Sequence, residues 1–532
     1  MLRTCTAIFL VLLGAAQLQA DDWQRFRGPN GSGVSAETTP LPASWSPVAN
    51  IAWKSELPGA GVSSPIVVGN KVLVTSYSGY GLERQNPGDL ADLQRHLLCF
   101  DATTGEKLWQ VDVAAAQPED PYEGIGVTAH GYASHTPVSD GTNVYAFFGK
   151  SGVYAYDLNG KELWHTMVGQ ESDPMKWGSS SSPILYDDIL IVTAAAESQS
   201  IVGLDTATGK EVWKQEASRL DNMWGTPILV DVSADRTDLV MGVPREIWGL
   251  DPKTGKMRWF CEATSAQQAH SSIVVDQANQ TVFAFTGRGG GSVAVKPGGS
   301  GDTTQESVLW NGRENDRFGS PVTVDGKVYL VANGVVNMID AQDGEVLEKT
   351  RLEGASGGRG SSDYASPIVA DGKLYYLNGS GQMFVFELGE ALNQVAMNRV
   401  TKEQESFGGT PAVSDGKLYL RSDKYLYCIA DKGDEVNADD NVVANAAPEA
   451  GEGGGRGGFG GGRPPGAGGG RPGGGEGGGF RGRPGGNAEG GGRAGGGRPQ
   501  GGGRPGGGRG RGGECEDNRP ERPERPEMVD QE

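Results

Sequence analysis

Residues 203–213 read GLDTATGKEVW, and residues 249–259 read GLDPKTGKMRW. In both stretches an apolar run ends in Asp, a turn with Gly follows, and a second run reaches Trp. The same order returns at residues 99–109 and 155–164. Weaker copies are centred on Lys296, Asp340, Glu387 and Ala430. Successive copies lie 43 to 56 residues apart, which indicates a ring or an array of similar structural units.

A second marker keeps step with the first. Small residues precede a proline at the start of an apolar strand, at Pro65, Pro137, Pro183, Pro227, Pro321, Pro367 and Pro411. In the fifth unit we predict Ser272 in the place of proline. An Asp-Gly-Lys hairpin then follows, clearest at residues 325–327, 371–373 and 415–417, where Gly supplies the positive φ of the turn. Each unit is therefore predicted to hold four antiparallel strands, which is typical of a propeller blade.

The recurring residues have distinct roles in this interpretation. The Asp accepts hydrogen bonds from backbone N–H groups of the following turn, and the Gly permits a left-handed backbone there. The Trp combines a large apolar surface with one N–H donor, which suits a wedge between neighbouring blades.

The eighth unit, residues 410–432, ends without a Trp strand, whereas residues 51–57 form a lone Trp strand ahead of the first unit. An unpaired sheet edge is unfavourable, so we predict that the early strand completes the last blade. The predicted fold is therefore all-β: an eight-bladed β-propeller of four-stranded antiparallel blades over residues 51–432, closed by an N-terminal strand.

The composition excludes several classes of protein. The 532 residues are 36% hydrophobic, which is too polar a composition for a protein with many membrane-spanning segments. A formal charge of -20 argues against a protein that binds DNA phosphates over its whole surface. Five cysteines are too few for a disulfide-dense scaffold.

Residues 1–20 are typical of a cleaved signal peptide: Arg3 is followed by an apolar run at 7–16 and by Ala20 before the predicted cleavage site. The run is shorter than a membrane-spanning helix, so we expect no transmembrane span after cleavage. The mature protein is predicted to be exported, to the periplasm or the outside of a bacterium. Residues 21–50 form a leader segment ahead of the propeller.

The C-terminal stretch, residues 433–532, is predicted to be disordered. Residues 451–513 contain 37 of the 87 glycines, and so few apolar groups cannot offset the entropy of ordering the backbone. Its charge alternates from acidic to basic to acidic. Arg-Gly repeats bind nucleic acid in other contexts, but the export signal and the scarcity of aromatics favour a spacer that adheres to anionic polymer or to the protein's own acidic body. We expect no specific nucleic-acid partner.

The Asp-x-x-Thr-Gly-Lys-x-x-Trp repeat resembles the pyrroloquinoline-quinone-like propeller repeat of quinoprotein alcohol dehydrogenases and of the outer-membrane assembly factor BamB. In the enzymes of this family the resemblance implies a quinone and Ca²⁺ above the channel, against a pair of adjacent cysteines. This chain has no adjacent cysteines and no haem-attachment motif. We therefore expect no cofactor and no catalytic residues, and keep the quinone with calcium as the alternative. Cys99 and Cys428 are predicted to be buried free thiols.

Other candidates for chemistry are weak. The five histidines show no metal-site spacing, although His135 and His270 precede inner strands and could face the channel mouth. The acidic residues Asp231, Asp235 and Asp238 lack the Gly and the Glu of a Ca²⁺ loop, and we interpret them as a solvated hairpin.

An aromatic residue recurs just upstream of the inner strands, and we predict that these residues ring the channel entrance as a partner-binding rim. The set is Tyr132, Trp177, Trp224, Phe318, Tyr364 and Phe407. Arg317, Arg359 and Asp363 could add polar contacts. Rigid aromatic area of this kind dominates binding hot spots, although the same rings could simply fill gaps between blades.

The leading hypothesis is a non-catalytic exported scaffold that binds a protein or an envelope polymer through its top face. The alternative is a quinone-dependent or otherwise cryptic oxidoreductase that uses the same mouth. A third interpretation makes the Arg-Gly tail the functional part and the propeller its carrier.

Overall fold

The computed structural model describes residues 22–124, 127–287, 290–315, 318–355, 363–442 and 519–529. Their strands form eight separate antiparallel sheets, so the predicted eight-bladed propeller is confirmed. In each sheet the first strand of the repeat lies nearest the channel. The predicted signal peptide, residues 1–20, lies outside the described residues. No helix in the described part of the chain is both long and apolar enough to cross a membrane.

The strands of blades 1 to 4 are, in chain order, Ile66–Val68, Lys71–Ser78, Gln94–Asp101, Lys107–Ala114; Val138–Ser139, Asn143–Phe147, Val153–Asp157, Glu162–Thr166; Ile184–Tyr186, Ile189–Ala194, Ser200–Asp205, Glu211–Glu216; Ile228–Ser233, Arg236–Val243, Glu246–Leu250 and Met257–Glu262. The strands of blades 5 to 8 are Val274–Asp276, Thr281–Phe285, Ser292–Val295, Val308–Gly312; Val322–Val324, Lys327–Ala332, Val335–Asp340, Val346–Arg351; Ile368–Ala370, Lys373–Leu377, Met383–Glu387, Asn393–Asn398; Ala412–Ser414, Lys417–Arg421, Tyr425–Ala430 and Ile51–Glu56.

Helical segments are short and lie between strands, in the leader or after the last blade. Those with α geometry are Val127–His130, Ala195–Ser198 and Thr304–Ser307. Those with 3-10 geometry are Pro29–Gly31, Leu90–Asp92, Gly149–Ser151, Ser218–Leu220 and Ala438–Asn441. Blade 4 also gains a two-residue parallel strand, Gly301–Asp302.

The predicted closure is confirmed. Ile51–Glu56 pairs antiparallel with Tyr425–Ala430, and Trp53 lies opposite Cys428. The first strand of the domain is therefore the outer strand of the last blade, and the ring has no open edge at the join.

A ring of hydrogen bonds also runs around the channel. Each blade contributes one Ser or Thr just before its inner strand, and its backbone N–H donates to the hydroxyl of the corresponding residue in the next blade at 2.9 to 3.0 Å. The members of this hydroxyl ring are Ser64, Thr136, Ser182, Thr226, Ser272, Ser320, Ser366 and Thr410. The last bond, from Thr410 to Ser64, completes the circle. Ser272 belongs to this ring, so Ile273 and not Ser272 takes the place of proline in blade 5.

The repeat motif forms a latch between blades. The indole N–H of a Trp in one blade donates to a backbone oxygen in the Asp-Gly turn of the next. The pairs are Trp53 with Ala102, Trp109 with Leu158, Trp164 with Thr206, Trp213 with Pro252 and Trp310 with Ala341. The turn glycine lies under the indole: at Gly209 the φ is 69°, and an added Cβ would lie 2.5 Å from the ring of Trp164. The predicted wedge and turn roles are thus present together.

Blade 4 departs from this pattern. Its Trp259 donates instead to Asp238 of the same blade at 2.8 Å, and the carboxylate also pairs with Arg236 and Arg258. Asp238 is fully buried, so the interpretation of a solvated hairpin is wrong at this residue. Asp231 and Asp235 are exposed as expected. The difference arises because Asp238 lies within the strand Arg236–Val243, where residues 238–241 are all buried, whereas Asp231 and Asp235 lie close to the exposed hairpin turn.

The leader crosses the channel beneath the hydroxyl ring. Its backbone and side chains bond to inner-strand residues three positions past the ring, at Val67, Ser139, Leu229 and Val369. Trp23, Arg27 and Trp45 of the leader are almost completely buried. The segment therefore closes one end of the channel, a role that the sequence analysis did not assign to it.

Two parts of the stretch 433–532 are described, and both pack on the propeller. Residues 443–518, the main part of the predicted disordered tail, lie outside the described residues. In the first, the side chain of Asn441 donates to the backbone oxygen of Trp45 and accepts from the N–H of Arg399. In the second, residues 519–529 lie against blades 3 and 4. These parts find polar partners that lie far away along the chain.

Candidate functional site

Two stacked rings of residues define a cavity of about 360 Å³ at the mouth of the channel. The lower ring is the hydroxyl ring. The upper ring consists of the residues two positions before it in each blade: Val62, Ser134, Ser180, Trp224, His270, Phe318, Tyr364 and Gly408. Phe26 of the leader also lines the cavity, and Ala129, His130 and Trp177 contribute from the longer connections. The regular offset means that the repeat itself builds the site.

Half of the wall is a continuous row of rings, the aromatic arc. Its members are Trp177, Trp224, His270, Phe318 and Tyr364. Successive ring centroids are 5.5, 4.6, 5.2 and 4.7 Å apart. The indole N–H of Trp224 donates to the backbone oxygen of Gly178 at 2.8 Å, which fixes that ring. The opposite wall consists of Val62, Ser134, Ser180 and Gly408, so space is left in front of the arc.

The structure separates the six predicted rim residues into two groups. Trp224, Phe318 and Tyr364 lie in the upper ring, and Trp177 lines the cavity from a connection. Tyr132 is instead buried beside Tyr77 and donates to the backbone oxygen of Asp120.

Phe407, the sixth predicted rim residue, is also buried, near Gly381 and Tyr427. Tyr132 and Phe407 precede their hydroxyl-ring residues by four and three positions, whereas the upper ring requires two. Of the predicted polar residues, Asp363 accepts from the N–H of Gly379, and Arg317 and Arg359 lie outside the described residues.

Two contributors were not among the six predicted rim residues. His270, which the sequence analysis named as able to face the channel mouth, completes the aromatic arc, and Phe26 approaches from the leader. A strict count of two residues before each Ser or Thr places His270 in the upper ring. No repeat signal could have found Phe26, because the leader lies outside the repeat.

The described lining of the cavity contains no Asp, Glu, Lys or Arg. The lining contains His130, whose two ring nitrogens lie 2.7 Å from the backbone oxygen of Trp177 and 2.7 Å from Oγ of Ser134. Burial lowers the pKa of His130, so the ring is neutral at physiological pH. The described part of the lining therefore carries no carboxylate, ammonium or guanidinium group, and it combines an aromatic wall with hydroxyl groups below.

A buried cluster of ionisable residues lies beside the cavity. Arg95 pairs with Glu119 at 2.5 Å, and Lys150 pairs with Asp120 at 2.9 Å. Glu197 accepts a hydrogen bond from Ser179, and burial raises its pKa to about 7.

His135, on the other side of Ser179, bonds to the same hydroxyl at 3.0 Å. Burial, together with the nearby His130 and Arg95, lowers the pKa of His135 to about 3. Desolvation thus opposes the charged forms of both His135 and Glu197.

We expect Glu197→Gln to stabilise the protein at alkaline pH. The folded-state pKa is raised, so ionisation costs folding stability as pH rises from the unfolded value through about 7. Near pH 8 the variant should be more stable by roughly 2 to 3 kcal/mol, and at about pH 4 the two proteins should be equal. Urea unfolding at both pH values measures this. The matched change Glu211→Gln, at an exposed site, should leave the free energy of unfolding unchanged at both pH values. If Glu197→Gln changed stability by the same amount at both pH values, that result would contradict the argument.

The propeller is similar in sequence to known proteins. A family model described as outer membrane protein assembly factor BamB matches residues 44–172, 94–350 and 308–437. The chain belongs to this family. Over 279 residues this BamB-family propeller is 22% identical to polyvinylalcohol dehydrogenase of Sphingopyxis sp. (strain 113P3). That match covers 45% of this chain and only 39% of the dehydrogenase.

Solved structures share the fold of this BamB-family propeller. A europium-containing methanol dehydrogenase is 12% identical with a TM-score of 0.50, covering 75% of this chain and 89% of that one. BamB from Moraxella catarrhalis is 14% identical with a TM-score of 0.48, covering 73% and 100%. At such identities the likeness to the methanol dehydrogenase establishes the fold alone.

The described residues at the mouth of this BamB-family propeller do not fit a quinone with Ca²⁺. Calcium requires several oxygen ligands, usually including carboxylates, and a multiply charged quinone requires positive charge nearby. The cavity lining described above offers neither, and no group of three His, Cys, Asp or Glu in the described ranges could hold a metal ion. Cys99 and Cys428 are buried free thiols as predicted, and burial raises the pKa of each to about 12.

Proposed function

We propose that this protein is an exported, non-catalytic scaffold that holds an uncharged segment of an envelope protein or polymer in the channel mouth. The observation that carries the proposal is the described lining of the cavity, which contains no Asp, Glu, Lys or Arg, is walled on one side by the aromatic arc and is bounded below by the hydroxyl ring. Export rests on the predicted signal peptide, and the family description points to the bacterial envelope.

The chemistry of the cavity favours such an occupant. The rings of the arc pack against one another, so they lose little conformational freedom when a ligand stacks on them. Each hydroxyl of the ring already accepts a backbone N–H, so its own proton remains to donate to the ligand. A charged ligand would lose its water without gaining a countercharge from the described lining.

Substitutions in the arc test this proposal. We expect the triple variant Trp177→Ala, Trp224→Ala and Tyr364→Ala to bind a purified envelope partner about 10- to 100-fold more weakly. The partner is first captured on the wild-type protein from an envelope extract and identified, and the affinity of each variant is then measured by calorimetry. Leu309→Ala is the control, because Leu309 is 49% exposed on the outer strand of blade 5. Unchanged affinity of a folded triple variant would exclude the mouth as the binding site.

A quinone-dependent oxidoreductase is the second candidate, favoured by the similarity to a dehydrogenase over part of the chain. Titration of the protein with pyrroloquinoline quinone and Ca²⁺, monitored by cofactor absorbance and by dye reduction, separates the two functions. The scaffold proposal expects neither saturable uptake nor turnover. Stoichiometric uptake with dye reduction would establish the oxidoreductase instead.

A further inference from the structure

The end of the chain carries a short repeat that the propeller does not share. Residues 519–527 read RPERPERPE. Proline fixes φ near the polyproline value, and the polyproline helix has three residues per turn. In such a helix a period of three places Arg519 and Arg522 on one face, and the backbone then bends at Glu524 and Arg525. The prolines leave little conformational entropy to lose on docking.

Each of these arginines pairs with a carboxylate of blades 3 and 4 or of their connections. Arg519 lies 3.0 Å from Asp221. Arg522 forms two bonds to Glu171, at 2.6 and 3.0 Å, and a third at 2.9 Å to Gln199.

The third arginine, Arg525, bonds to a carboxylate and also stacks on an aromatic ring. Arg525 forms two bonds to Glu246, at 2.6 and 2.9 Å, and its guanidinium lies 3.8 Å from the ring centre of Phe260. We call the surface formed by Glu171, Gln199, Asp221, Glu246 and Phe260 the acidic groove. Paired guanidinium–carboxylate bonds of this kind combine strength with a fixed geometry.

The backbone of the segment is also held. The N–H groups of Ser218 and Met257 donate to the backbone oxygens of Pro523 and Glu527, at 2.8 and 2.6 Å. Met528 forms a parallel bridge with Met257 and packs on the apolar cluster of blades 3 and 4. The segment therefore docks through main chain and side chains together, which is how peptide-binding domains recognise extended ligands.

Glu246 gives the groove buried negative charge that suits a basic ligand, and Arg219 of the propeller lies 3.3 Å from the same carboxylate. Its side chain is 1% exposed. Burial opposes its ionisation, but hydrogen bonds from Arg525 and Trp248 and the charge of Arg219 outweigh burial, so the pKa of Glu246 lies below its usual value. Without Arg525, a buried carboxylate would lose its bidentate partner.

We propose that the acidic groove is a binding site for a peptide with arginine at every third residue, and that residues 519–529 of the same chain are its built-in ligand. The proposal is independent of the function of the channel mouth. Its consequence is that the chain between residues 442 and 519 is attached to the propeller at both ends, at Asn441 on one side and at the acidic groove on the other.

A single dye can report this docking in the full mature chain. Cys99, Cys261 and Cys428 are buried, so a maleimide dye labels Cys515, four residues before Arg519. In the wild-type protein the dye should rotate slowly, with the propeller. In Arg522→Glu with Arg525→Glu its anisotropy should fall by about half or more, because a released chain end moves on the nanosecond scale.

Matched variants separate specific docking from general electrostatics. Arg509→Glu with Arg511→Glu changes the charge equally and should leave the anisotropy at the wild-type value. Glu171→Lys should lower it, and adding Arg522→Glu to Glu171→Lys should restore it in large part. The proposal would be overturned if the Arg522 and Arg525 variant kept the wild-type anisotropy, if the anisotropy of the control fell equally, or if the charge swap failed to restore docking. A dimer by light scattering, dissociated by the Arg522 and Arg525 variant, would show that the ligand comes from a second copy.

Discussion

Trp53→Ala should lower the free energy of unfolding by about 3 to 5 kcal/mol, the range for truncation of a large buried aromatic. Trp53 is only 8% exposed and belongs to the strand that completes blade 8. Its indole packs over Gly105 and donates to the backbone oxygen of Ala102 in blade 1. The change therefore leaves a cavity at the join of the ring, and the carbonyl of Ala102 keeps only the longer hydrogen bond from the Tyr419 hydroxyl, at 3.4 Å.

Urea unfolding followed by tryptophan fluorescence and by circular dichroism measures the loss. Val48→Ala is a suitable control, because Val48 is 74% exposed just before the same strand and should change stability by less than about 0.5 kcal/mol. A loss below about 1 kcal/mol in the Trp53 variant would show that the latch at the join contributes little.

Asp238→Ala should lower the free energy of unfolding by a similar amount, about 3 to 5 kcal/mol, because a buried carboxylate is lost. The carboxylate is fully buried and receives hydrogen bonds from Arg236, Arg258 and the indole of Trp259. Removing the carboxylate leaves the buried indole N–H of Trp259 unpaired and takes a countercharge from Arg236 and Arg258, although Arg258 keeps its salt bridge to Asp251 at 3.0 Å.

The matched control lies in the same hairpin. Asp235 is exposed and bonds only locally, to Ser233, so Asp235→Ala should shift the unfolding midpoint very little. Equal small effects of the two substitutions would mean that Arg236 and Arg258 turn to solvent when the carboxylate is lost. A thermal melt of both variants beside the wild-type protein is sufficient to decide.

The repeat made the architecture predictable because each of its residues serves the same contact in several blades. The Asp, Gly and Trp positions follow from turn geometry and from the latch, and the lone strand at 51–57 follows from the missing strand of the eighth unit. The thiols of Cys99 and Cys428 were predictable from their place in apolar strands.

Contacts from outside the repeat were not predictable in the same way. The leader bonds to inner strands up to about 340 residues away along the chain, as Ser35 does with Val369, and no local pattern encodes such a partner. The rim prediction failed to anticipate the burial of Tyr132 and Phe407 because the connections before the inner strands differ in length. The arginines at 519, 522 and 525 carry a readable period, but their acidic partners are scattered over two blades and their connections.

The cavity, the hydroxyl ring and the orientation of the arc all require that the circle closes between residues 51–56 and 425–430. Ser55 lies directly opposite Leu426, within the separation that a disulfide can bridge. In Ser55→Cys with Leu426→Cys, mild oxidation should join the two residues within one chain, as detected by mass spectrometry of the proteolysed protein. Ser55→Cys with Leu330→Cys, which places the second thiol in blade 6, should not cross-link. Absence of the first link in a folded protein, or equal yields from both pairs, would contradict the closed ring.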